Sequence, residues 1–163
     1  MPTVSSSHPG ARIIEPFDGL DDIRFGMTPH ELEEQRGAPD AVRENRILKY
    51  TAERRGATEF FFRDGRLSEI AAYKPGRGKE IRERLAGASY EPIYIDGIEV
   101  LDKKGFQQLC ARYRTVEGIG GVSVLFPELG LFVTGFRKRV PEGVYAIVFS
   151  PDRLKYFEVR LDV

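Results

Sequence analysis

The sequence predicts an α+β fold, antiparallel sheet with helices on one side, and three observations carry that prediction. Capped helix starts recur about 74 residues apart, at Met27 to Leu32 and Leu101 to Phe106. Each is followed by β-favouring runs joined at turn signals. No strand–helix–strand rhythm calls for a parallel sheet. The 163 residues suit one domain over residues 13–163, with possible tandem helix-then-hairpin units at 20–87 and 93–163.

The first helix has the strongest local signature. Thr28 caps the N3 amide, Glu31 reaches back to the cap, Pro29 occupies N1, and Met27 with Leu32 forms a hydrophobic staple. Gly37 and Pro39 end it, giving Pro29–Arg36. A three-stranded meander follows over residues 47–51, 58–62 and 67–73. Its second turn, Asp64-Gly65, suits a tight hairpin because both positions need positive φ. Phe60, Phe62, Ile70 and Ala72 alternate toward the core.

Residues 79–86 form a short surface helix whose narrow apolar stripe is Ile81 and Leu85. The second long helix, Lys103–Arg112, places Phe106, Leu109, Cys110 and Tyr113 on one face. A hairpin is expected from residues 122–126 and 131–136. A third is expected from 144–149 and 154–159, joined by a type I turn at Ser150-Pro151-Asp152-Arg153.

Composition narrows the function classes. Lys plus Arg and Asp plus Glu both number 25, so the net charge offers no field for generic nucleic acid or an anionic membrane. The single cysteine, Cys110, permits no internal disulfide and reads as a small core residue. Residues 1–12 lack the charged and apolar regions of a secretory signal, read as a mobile tail, and point to a cytoplasmic protein. No stretch is apolar enough to span a membrane.

Nothing in the motifs spells catalysis or a cofactor. His8 falls in the tail and His30 at N2 of a helix; neither has a nucleophile at a motif spacing. Gly118-Ile119-Gly120-Gly121 precedes a strand rather than the helix a phosphate cradle needs, and reads as a connector. Asp18, Asp21 and Asp22 are the sole carboxylate cluster to consider for an enzyme, and three acids on a surface loop are ordinarily solvated. The expectation is no catalytic set, no cofactor and no metal.

Charge is unevenly spread. Residues 15–40 hold eight acids against two bases, and residues 43–84 hold twelve bases against seven acids. Such blocks either cancel across the fold or steer a partner of opposite sign. On the steering reading, Asp18, Asp21, Asp22, Glu31, Glu33 and Glu34 form the partner-binding surface, with exposed Tyr and Arg as anchors.

The run from Ile23 to Pro39, IRFGMTPHELEEQRGAP, resembles the opening shared by SmpA/BamE-like outer-membrane lipoproteins and bacterial immunity proteins of polymorphic toxin systems. The helix-and-sheet unit of the lipoproteins also resembles that repeated in β-lactamase inhibitor protein. Phe60 to Ile70, an aromatic strand with an Asp-Gly turn, is similar to the strand pair that follows there. The resemblance covers a small part of the chain and implies a fold more than a function. With no lipobox cysteine or signal segment at its start, the chain is expected to follow the immunity branch. That implies a cytoplasmic protein that occludes one toxin domain. The alternatives are an assembly module or homodimer joined through strand edges, and a carboxylate-dependent enzyme.

Overall fold

A computed structural model describes residues 12–161. The tail expected at residues 1–12 lies outside the described residues except for Arg12, and His8 lies outside them too. Arg12 is not tail: it begins β1 (Arg12–Glu15), the first strand of a small sheet. In chain order follow β2 (Gly19–Leu20), β3 (Ile23–Arg24), α1 (Pro29–Arg36), β4 (Ala41–Asn45), β5 (Tyr50–Arg55), β6 (Thr58–Arg63), β7 (Arg66–Pro75) and α2 (Lys79–Arg84). Then come β8 (Ile93–Ile95), β9 (Ile98–Glu99), α3 (Lys103–Arg112), β10 (Val116–Glu117), β11 (Ser123–Phe126), β12 (Leu131–Thr134), β13 (Gly143–Phe149) and α4 (Leu154–Arg160). The class is α+β, mostly strand, with two largely antiparallel sheets.

The larger sheet has eight strands in the order β10-β11-β12-β13-β7-β6-β5-β4. Two four-stranded antiparallel meanders meet at a β13–β7 seam, where Gly143 pairs with Pro75 and Phe149 with Glu69. The smaller sheet, β3-β2-β1-β8-β9, includes one parallel pair, β1 with β8.

Alternation along the strands builds a core on each face of the large sheet. Phe60, Phe62, Ile70, Val124, Phe126 and Val148 point to one face. There they meet Leu32 of α1, Phe106 and Leu109 of α3, and the isoleucines of the small sheet. Phe61, Ala71, Leu125, Phe132 and Phe149 point to the other, against Ile81 of α2, Leu85 and Phe157 of α4. Helices therefore cover both faces, not one side, because both faces of these strands are apolar and each must be shielded from water.

α1 and α3 form over the residues the caps predicted. Thr28 and Glu31 make the reciprocal capping box, and the Asp102 side chain accepts from the Gly105 N–H at 3.1 Å. The third hairpin is corrected. β13 pairs with β7 rather than with residues 154–159, which are helical in α4 after a 3-10 turn over Pro151–Arg153. Leu154, Phe157 and Leu161 fall at helical spacing and pack on the sheet. That burial outweighs the β-propensity of Tyr, Phe and Val in the segment.

The first meander has four strands, not three. Residues 47–49 belong to the β4–β5 turn, where the Asn45 side chain accepts from the Leu48 N–H at 2.8 Å and Lys49 takes a φ of 58°. No helix of the described residues is long and apolar enough to cross a membrane.

Candidate functional site

Asp18 is exposed in the β1–β2 turn. Asp21 sits at a φ of 55° with Oδ1 accepting from the Ile13 N–H at 2.7 Å, which makes it a turn-forming residue. Asp22 accepts from Arg36 at 2.6 Å, and that hydrogen bond holds its carboxyl below the usual range. Glu31 is engaged by the Thr28 N–H at 2.9 Å, the main cause of its lowered pKa. Glu33 is exposed on α1, and Glu34 stands 3.7 Å from His30. Among the described residues, no three His, Cys, Asp or Glu gather as a metal site. Cys110 is half-buried against the first core, where burial pushes its thiol up.

A different cluster stands on the other face of the large sheet. α2 and α4 leave a cleft of about 420 Å³ between them. Its floor is Tyr73 and Tyr145, facing each other across the central seam with ring centroids 5.5 Å apart, together with Phe61, Ile147 and Tyr50. Its rim carries Arg84 from α2, Tyr156 and Arg160 from α4, and Arg43, Leu48 and Arg63 from the first meander.

Two carboxylates, Glu59 beneath this surface and Glu69 in its lining, hold Arg43, Arg63, Arg84 and Arg153. Glu59, whose side chain is 2% exposed, accepts from Arg43 through Nε at 3.0 Å and Nη2 at 3.1 Å, a bidentate fork. It also accepts from the Tyr73 hydroxyl at 2.9 Å and lies 3.7 Å from Arg84. Burial alone would raise the Glu59 pKa; the Arg43 fork and the Arg84 charge outweigh it and hold the carboxyl below the usual range. Burial, then the Glu59 charge, pushes the Tyr73 phenol far up, so Tyr73 stays a neutral donor. Glu69, 6% exposed, accepts from Arg63 at 3.3 Å and from Arg153 at 2.6 Å.

The arginines also stack on rings. The Arg84 guanidinium lies 5.1 Å from the Tyr73 centroid, Arg63 5.2 Å from Tyr50, Arg153 4.2 Å from Tyr156 and Arg160 5.3 Å from Phe132. A planar guanidinium set on a ring is fixed in orientation while its N–H edge stays open to an anion. Around this cleft sit exposed apolar side chains: Leu48 at 54% and Tyr156 at 40% line it, and Val159 at 58% follows on α4.

Sequence reasoning did not single out these residues, though a signal existed. Glu59 and Glu69 each interrupt an otherwise apolar, central strand, and a charge in that position needs a buried partner. The partners, Arg43 on β4 and Arg153 in the 3-10 turn before α4, are 16 and 84 residues away.

Comparison with protein-family models, curated proteins and solved structures returns no match for this chain.

Proposed function

We propose that this chain is a non-catalytic binding protein of the immunity or inhibitor kind, acting in the cytoplasm by covering a bacterial toxin domain. Its working surface, on this reading, is the arginine–tyrosine cleft. One observation carries the proposal: a concave floor of tyrosines, ringed by arginines and by exposed Leu48, Tyr156 and Val159, has the composition of an interface centre. The resemblance of residues 23–39 to immunity proteins supports the same reading.

The exposed acids Glu33 and Glu34 lie on α1, which packs through Leu32 on the face of the sheet opposite the cleft, while Asp18 follows Phe17, which packs on Phe149; we assign all three to steering rather than anchoring. α1 and α3 each lead into a four-stranded meander followed by a short helix, which supports two units at residues 20–87 and 93–163 joined at the seam.

The test is capture of a partner from the host of origin, with co-expression of the toxin gene beside this one. Arg84→Glu with Tyr156→Ala should abolish protection and weaken capture, while Asp18→Lys with Glu34→Lys should slow association at low salt only. Full protection by the cleft variant would sink the proposal. A second reading, a homodimer, is favoured by β4, a sheet edge with Val42 58% exposed. Sedimentation giving a monomer at all concentrations would remove it.

A further inference from the structure

We propose that the cleft is a seat for a dianionic phosphate monoester carried on a flat ring, gripped by Arg63, Arg84 and Arg160 with the ring laid on the tyrosine floor. The inference rests on the cleft being the working surface, but not on the partner being a toxin.

Charge comes first. The lining holds four arginines, Arg43, Arg63, Arg84 and Arg160, against two acids, Glu69 and Glu142. Beneath it Glu59 and Arg153 cancel, so a guest of two negative charges matches the excess. Arg43 is spent on Glu59 and on the Tyr50 hydroxyl at 3.0 Å. Among the described residues Arg84 and Arg160 donate no hydrogen bond; Arg84 lies 3.7 Å from Glu59, and each guanidinium sits over a ring.

Arg63 is held more firmly. It gives Nη1 to the Leu48 carbonyl at 3.0 Å and Nη2 to Glu69, and its Nε is buried out of a guest's reach, so it serves the seat through its charge. The rings supply the other half: Tyr145 and Tyr156 are partly exposed in the lining. The volume, about 420 Å³, falls in the range of small-molecule sites.

Calorimetric titration of the full chain with phenyl phosphate at pH 7.5 tests the seat, because the phosphate is then doubly charged. Saturable binding is expected, weaker by about tenfold or more for benzenesulfonate, which has the same three oxygens and one charge. Arg84→Gln with Arg160→Gln should lose at least about tenfold in affinity, with circular dichroism confirming the fold. Tyr156→Ala should bring phenyl phosphate down toward inorganic phosphate and leave inorganic phosphate unchanged. No saturation at millimolar phenyl phosphate, equal affinity for benzenesulfonate, or an unaffected double variant overturns the seat.

Adenosine 5′-monophosphate and a phosphotyrosine peptide, titrated in parallel, separate a free nucleotide from a modified protein as the source; the tighter of the two names it. Phenyl phosphate binding by a chain that captures no protein would leave the seat standing and remove the toxin partner. Capture without phenyl phosphate binding would do the reverse.

Discussion

Glu59 concentrates the chemistry of the cleft in one side chain. A carboxylate this deeply buried is tolerable only because Arg43 meets both its oxygens and Tyr73 donates a third hydrogen bond. Replacing it with Gln leaves Arg43 without its counter-charge, and Glu59→Gln should cost about 3 kcal/mol in urea unfolding. The pH dependence has a definite sign. A carboxyl whose folded pKa is lowered stabilises the fold above its unfolded pKa of about 4.3, and that contribution is lost as pH falls through the lowered folded value. Parent stability should therefore decline below about pH 4, and the Gln variant should decline less steeply over the same acid range.

At the scale of elements, the two long helices are held differently from the two short ones. α3 is capped by Asp102 and approaches β9 so closely that a Cβ on Gly105 would stand 1.9 Å from the Glu99 carbonyl oxygen. Gly105→Ala should thus push α3 off the small sheet and lower stability by about 1–3 kcal/mol, read from the denaturation midpoint. α4 has no side-chain cap and depends on packing. Phe157 stacks on Phe149 at 4.5 Å and touches Phe132 at 5.0 Å. Phe157→Ala should cost about 3–5 kcal/mol. Because α4 carries Tyr156 and Arg160, the same variant should open the cleft, seen as loss of phenyl phosphate binding. Local energetics and the site share this helix.

For the whole molecule, the seam decides cooperativity. β7 and β13 close one eight-stranded sheet from two meanders, and the tyrosine floor exists only where they meet. A fragment of residues 20–87 would expose the whole of β7 as an apolar edge. It should fail to give the full chain's near-ultraviolet dichroism and should aggregate, whereas the full chain should unfold in one transition coincident by dichroism and fluorescence. A soluble, folded fragment would show that each meander is self-sufficient.

Several elements follow from short-range chemistry alone. Thr28, Pro29 and Glu31 set α1, Asp102 set α3, and Asp64-Gly65 set the β6–β7 turn, with φ of 51° and 73°. The same Asp-Gly signal at Asp96-Gly97, φ 52° and 76°, closes the β8–β9 turn, a hairpin the sequence reading missed. Caps and turns satisfy their own backbone groups within a few residues, so no distant contact is needed to read them.

Three other features depend on contacts between distant parts of the folded chain. Tertiary packing made residues 154–160 helical, because Phe157 and Leu161 had a sheet face to cover. It paired β13 with β7, a choice among strands of similar pattern that depends on both faces being buried at once. It also gathered Arg43, Glu59, Glu69, Arg84 and Arg153 at and beneath one cleft, since charges far apart in the chain become neighbours only when burial forces each to find its counter-ion.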